Sequence, residues 1–263
     1  MRVLDSAIAF SKETGRGICV IWTLGPDLNC RFEDLFLVPK RFKMLIQIAA
    51  EKNFEMFSRR CIRKLFSVSG RLLDCAKVGE RFGDIFRSRF AKQKGLIYVE
   101  TFSRLPYGRL HFADFHVAAP MQRKIDHYVR NFENVVGVHI RRTDNDKSIE
   151  HSPTSSFIEC MQREVDEDNK VKFFLATDSP QVEDQIKKIF PTRIITHAKL
   201  SLDRNNPLAI QDALIDLYCL SSTRKLIGSY WSSFTDTASE IGQMETLIAR
   251  KAAGLDSAIL SSH

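Results

Sequence analysis

Four short apolar runs in the second half of this 263-residue chain, Val135–Ile140, Val171–Ala176, Arg193–Thr196 and Lys225–Gly228, alternate with stretches of helical period. Runs of this length bounded by polar turns are buried strands, so the order is β-α-β-α. That order leaves few folds open, because parallel strands need long crossovers, and the crossovers turn in one hand and place helices against the sheet. The intervening helices carry start signals at Ser152–Pro153, Ser179–Pro180 and Ser232–Ser233. The pattern predicts a parallel sheet flanked by helices, in which ligands sit at the carboxyl ends of the strands.

The first half is less regular. Val3, Leu4, Ala7, Ile8 and Phe10 predict the inner face of a helix that Gly15 ends, followed by a buried strand over Ile18–Trp22. Phe42, Leu45, Ile46 and Ala49 repeat the helical period, as do Phe82, Ile85, Phe86 and Phe90. Leu96–Val99 reads as a short strand, and Pro120 as the opening of a helix with Met121, Ile125, Tyr128 and Val129 on one face. Two α/β domains follow, residues 1–118 and 119–263, with no Pro/Gly/Ser-rich linker between them.

A chain that is 44% hydrophobic and 27% charged can build sizeable cores. Its longest apolar stretches, such as Leu45–Ala50 and Val135–Ile140, fall far short of the roughly 18 residues of a membrane span, and the pattern of a signal peptide is not visible. Six cysteines without a C-x-x-C or paired spacing signal neither a zinc site nor a disulfide framework, and are expected to be reduced thiols of a cytoplasmic protein. The formal charge of +7 is uneven: between Lys40 and Lys94 there are fifteen Lys/Arg against five Asp/Glu. An anionic membrane surface or phosphate-bearing acceptor, a nucleic acid, and solvated helix faces all fit that excess.

His139-Ile140-Arg141-Arg142-Thr143-Asp144 closes the first of the four runs, so its polar residues stand at the rim of the sheet. Successive strand side chains point to opposite faces, so one arginine faces a given ligand while the other is anchored locally, with Asp144 as the natural anchor. A guanidinium can hold a diphosphate through two parallel charge-assisted hydrogen bonds, each worth about 1.5–3 kcal/mol. A structural ion pair is the competing reading.

Val136-Gly-Val-His-Ile-Arg-Arg-Thr-Asp144 resembles the H-x-R-R-x-D motif of the α1,6- and protein O-fucosyltransferase superfamily, which includes the nodulation fucosyltransferases. Phe174-Leu-Ala-Thr-Asp178-Ser is similar to that family's second motif, and Asp216-Leu-Tyr-Cys-Leu-Ser together with Gly228-Ser-Tyr-Trp-Ser-Ser-Phe234 to its third, all in family order. The resemblance implies a GT-B-type fold of two Rossmann-like domains. The second holds a GDP-fucose donor and the first a glycan or glycoconjugate acceptor. It implies inverting transfer of fucose without a divalent metal or other cofactor.

Residue by residue, the resemblance places the β-phosphate contact on Arg141, which would stabilise charge on the leaving diphosphate, and the guanine contacts on His139 and Asp216. The phosphate-binding serine falls on Ser232 by ungapped alignment, or on Ser233 with a one-residue gap, and an N-cap role is open for both. Asp178 supports either the strand-end architecture or the ligand's edge, with a turn or cap role equally open. The base falls on Glu150, one residue beyond the family's spacing.

One departure concerns the start. Family members begin with a strand and a Gly-rich turn, whereas this chain opens at Met1-Arg2-Val3-Leu4, within the equivalent helix, so the first domain is expected to lack its N-terminal strand. Two alternatives remain: an α1,2-fucosyltransferase-like enzyme, whose H-x-R-R-G-D has Gly where Thr143 stands, and a non-catalytic nucleotide-sugar or glycan-binding remnant. Partners are thus a GDP-sugar and a glycan rather than nucleic acid, with peripheral membrane contact through residues 40–94 as a further expectation.

Overall fold

The computed structural model describes residues 1–26, 28–49, 53–143 and 145–251. The chain divides into two compact units, Met1–Ala119 with Asp203–Gln211, and Pro120–Leu202 with Asp212–His263.

In the first unit, α1 (Arg2–Thr14) ends at Gly15, whose φ of 72° lets its N–H turn back to the Ser11 carbonyl at 2.9 Å. The buried Asp5 and Ser6 of this helix are used to tie down a loop. Asp5 pairs with Arg104 at 2.8 Å and accepts from the Phe112 amide at 3.0 Å, and Ser6 Oγ accepts from the Leu105 amide at 2.9 Å. Beyond α1, β1 (Ile18–Leu24) pairs in parallel with β2 (Phe42–Ala49), the short α2 (Phe32–Leu35) lying between them in sequence.

Phe42–Ala49 is therefore a strand and not the helix its spacing predicts. In a run this short the i, i+3, i+4, i+7 template also fits a nearly continuous apolar strand. The β-branched Ile46 and Ile48, opposite Ile21 and Thr23 of β1, decide it.

After α3 (Asn53–Val68), β3 (Leu72–Asp74) pairs in parallel with β4 (Tyr98–Glu100), two residues on from the expected position. Between them run α4 (Cys75–Val78), α5 (Phe82–Ile85) and a π-turn over Phe86–Phe90. The wider turn lets Phe82, Phe86 and Phe90 all point into one core with Phe10, Leu73, Cys75 and Leu105.

In the second unit, α6 (Ala119–Val129) buries Met121 and Ile125 and leads into β5 (Val135–Ile140), every residue of which is buried. Next come α7 (Asp146–His151), α8 (Thr154–Glu167), β6 (Lys172–Thr177), α9 (Pro180–Ile189) and β7 (Ile194–Ile195). The chain continues through α10 (Pro207–Ser221), β8 (Lys225–Ser229), α11 (Ser233–Gly242) and β9 (Thr246–Ala249). The short β9 was not among the predicted strands. All five strands are parallel in the order β7-β6-β5-β8-β9, so the winding reverses between β5 and β8. Val136, Val138, Ile140, Phe157, Met161, Phe173, Leu175 and Ile227 form the core beneath that point. All six cysteines are unbridged. Among the described residues no helix is long and apolar enough to cross a membrane.

Candidate functional site

In an open parallel sheet, the crevice at the carboxyl ends of the strands beside the reversal is where a ligand fits, because the flanking loops diverge there. Here that crevice belongs to β5 and β8. The first turn of α11 is brought against β8 by Gly228, since a Cβ at this position would stand 2.1 Å from Thr235 Cγ2.

The two arginines after β5 are held differently. Arg142 is anchored: its guanidinium donates to the Arg141 and Ser152 carbonyls, both at 2.8 Å, and to Thr154 Oγ1 at 3.2 Å, and lies over the Phe157 ring. Arg141 instead has its Nε 3.2 Å from Asp178 Oδ2 and its amide bonded to Ser229 Oγ at 3.0 Å, with the side chain 21% exposed. The anchor expected at Asp144 lies outside the described residues. Carbonyls hold Arg142, and the carboxylate beside Arg141 is Asp178.

Asp178, just past β6, also accepts from the amides of Arg142 and Thr143, at 2.7 and 3.2 Å, and from Thr143 Oγ1 at 2.8 Å. Burial alone would raise its pKa, but the Thr143 hydroxyl and amide, the Arg141 charge and the Arg142 amide together hold it below the usual carboxylate value. Of the roles left open by sequence, these bonds match support of the strand-end loop.

His139, the penultimate residue of β5, is buried with Nδ1 2.8 Å from Thr235 Oγ1 and its ring stacked on Phe234 at 4.7 Å. Burial pushes its pKa down to about 3, against the opposing pull of Asp178, so the imidazole is neutral at ordinary pH. The charges of Arg141 and Lys199 lower it further.

Asp216 on α10 is 4% exposed and pairs with Lys199 Nζ at 3.1 Å. Its Oδ1 is buried without a hydrogen-bond partner. Burial raises its pKa to about 6, although Lys199 and His197 pull it down. A buried carboxylate oxygen left unpaired costs several kcal/mol unless a ligand donor or a proton supplies the missing bond.

Ser232 is buried and caps α11, its Oγ accepting from the Thr235 amide at 3.5 Å, whereas Ser233 is the exposed first residue of that helix. Glu150 differs in character: its side chain is 74% exposed, and it meets His151 Nε2 at 3.9 Å.

The structure thus gathers His139, Arg141, Asp178, Lys199 and Asp216 into one electrostatic neighbourhood, with Ser232 at the facing helix start. Sequence reasoning did not find Lys199, an isolated basic residue in a loop whose partner is met only on folding. It also passed over Trp231, which takes a positive φ of 55° with its side chain 64% exposed and Lys147 Nζ 4.2 Å from its ring. A bulky residue in that conformation beside a helix start is the kind of outlier that marks binding sites; the Tyr230-Trp231 pair before the Ser232 cap was the available signal.

No protein-family model matches the chain, and no curated protein does. Among solved structures, it is similar to the NodZ α-1,6-fucosyltransferase soaked with GDP-fucose, with a TM-score of 0.58 and 19% identity over 90% of this chain and 86% of that one. The fucosyltransferase NodZ from Bradyrhizobium gives 0.57 and 20% over 89% and 86%. POFUT1 in complex with GDP gives 0.50 and 12% over 92% of both chains. The fold of this chain is accordingly the α/β fold of GT-B type, the one on which these fucosyltransferases are built.

Proposed function

We propose that the protein transfers fucose from GDP-fucose to a hydroxyl of a glycan or glycoconjugate, with inversion and without a divalent metal. The observation that carries this reading is the buried, unpartnered Asp216 Oδ1, paired on its other oxygen with Lys199, whose charge acts together with that of Arg141 on His139 at the reversal of a parallel sheet. A carboxylate accepts from both N1–H and N2–H of guanine, a pair of donors that uracil lacks. The neutral His139 ring, backed by Phe234, lies against the same base, and Arg141 takes the diphosphate with Ser232 and the first amides of α11. The GDP and GDP-fucose named for the solved structures of this fold agree with that donor.

In the reaction, the acceptor oxygen forms its bond to fucose C1 as the bond from C1 to the β-phosphate oxygen breaks. GDP leaves with that electron pair, and Arg141 stabilises the charge that develops on it. The acceptor's proton passes to a base, for which Glu150 is the candidate. Asp178 acts by orienting Arg141.

Calorimetric titration with GDP and UDP, followed by a transfer assay with GDP-fucose in the presence of EDTA, tests the reading. Tighter binding of GDP and EDTA-insensitive turnover support it, and equal affinity for UDP overturns it. The exposure of Glu150 favours one second reading, a nucleotide-sugar binder without transferase activity. GDP binding with no turnover would assign that role.

A further inference from the structure

The first unit holds a cavity of about 560 Å³ at the carboxyl ends of β3 and β4, lined by residues of α3, β3, α4 and β4 together with Thr101 and Phe102. Its volume lies within the range of about 300–1,000 Å³ typical of small-molecule sites, and its place matches where open parallel sheets hold ligands.

Its polar side is built from planar groups that fix one another. The Arg63 guanidinium bridges the two strand ends, pairing with Asp74 through Nη2 and with Glu100 through Nε at 3.2 Å. Arg59 reaches Glu100 Oε1 at 3.3 Å, and the Tyr98 hydroxyl donates to the same oxygen at 3.0 Å. Asp74 is 9% exposed and Glu100 has a side chain 16% exposed, so both carboxylates are held in place by bonds rather than left to wander in solvent. Glu100 Oε1 is filled by Arg59 and Tyr98, whereas Glu100 Oε2 and both oxygens of Asp74 each accept one bond and keep a second lone pair, and each arginine keeps N–H donors beyond those it uses here. Acceptors and donors therefore alternate within a few ångströms, and Lys77, which also lines the cavity, adds a positive charge to the two of each sign.

The apolar side is Phe102, 76% exposed and so an aromatic face held in water at a cost. A ligand that suits both sides carries adjacent hydroxyls, each able to donate and accept, on a ring with an apolar face. A plain apolar ligand strands the polar side.

We infer that this cavity is a carbohydrate-binding site that takes a pyranose, its C–H face stacked on Phe102 and its vicinal hydroxyls bonded across Arg63, Asp74 and Glu100. That the bound sugar is the transfer acceptor rests on the function proposed above; the sugar site itself does not.

The test is binding of the full-length protein to a printed array of neutral oligosaccharides, with the strongest hit titrated against wild type, Phe102→Ala and Glu100→Gln. Phe102 is exposed, so its loss leaves the fold intact, and circular dichroism checks both variants. At least one oligosaccharide class is expected to bind wild type, with affinity reduced tenfold or more in Phe102→Ala while GDP affinity stays within twofold. A blank array, or a hit that Phe102→Ala binds equally well, overturns the site. Sugar binding that depends on Phe102 in a protein that binds no GDP leaves this site standing and removes the transferase reading. Turnover of GDP-fucose with no Phe102-dependent sugar binding does the reverse.

Discussion

Arg141 Nε stands 3.2 Å from Asp178 Oδ2, while Asp178 Oδ1 accepts the Arg142 amide at 2.7 Å, so one carboxylate sets both the side chain of the first arginine and the backbone of the second. The two arginines are separable by experiment. Arg141→Ala is expected to lower turnover by about 100- to 1,000-fold, the cost of deleting a donor to transition-state charge, and to leave Tm within a few degrees. Arg142→Ala strands the bonds to Arg141, Ser152 and Thr154 and should cost about 2–4 kcal/mol of stability. Steady-state rates and thermal melts on the two variants check both halves.

Asp216 should set the choice of base. GDP is expected to bind at least tenfold more tightly than UDP, since each stranded buried hydrogen-bonding group costs about 1–3 kcal/mol. Asp216→Ala should erase most of that preference while affinity for inorganic pyrophosphate, which depends on Arg141 and Ser232, stays within about threefold, a change under 1 kcal/mol. Calorimetry on wild type and variant with the three ligands decides.

The same residue makes binding depend on pH. Burial, with a smaller push from the charge of Asp212, outweighs the downward pull of Lys199 and His197 on Asp216 and raises its pKa to about 6. Guanine needs the ionised form, so GDP affinity should hold above pH 6 and fall below it by up to about tenfold per unit. For folding, the sign is opposite. A carboxyl whose folded pKa lies above the unfolded 3.8 contributes stability that is full below about pH 4 and is lost as pH rises through about 6. Titrations and chemical melts between pH 4 and 7.5 should show the two trends crossing, and Asp216→Asn should flatten both.

Gly228 gives a packing prediction. Gly228→Ala sets a methyl 2.1 Å from Thr235 Cγ2, so α11 must shift or the strand must bend. The cost should be about 1–3 kcal/mol, accompanied by weaker GDP binding because Thr235 also holds the His139 ring. Gly228→Ala combined with Thr235→Ser, which removes the clashing methyl, should recover much of the Tm.

What could be read from sequence was what neighbouring residues decide. Ser179 before Pro180 and Ser232 before Ser233 each proved to cap a helix, and the run over 135–140 is a buried strand because near-continuous apolar residues leave no face for water. Phe42–Ala49 was misread because its spacing fits two periods, and only pairing with β1 selects one. The Arg142 anchors at Ser152 and Thr154 are ten and twelve residues away, and Asp178 reaches Arg141 from the neighbouring strand; such pairs follow from strand order, which spacing does not encode. Lys199 belongs to the same group, since nothing in its own segment marks it as the partner of a helix residue.

β5 is hydrogen-bonded on both edges, to β6 and β8, whereas every described strand of the first unit has a neighbour on one edge alone. The backbone is therefore guarded unequally. Amides along β5 are released to solvent when the second unit opens as a whole, while those on the free edges of β1 and β3 need no more than a local parting. Deuterium should enter the first unit while the half carrying Arg141 is still closed, and a protease that cuts at such openings should leave that half as its last intact fragment.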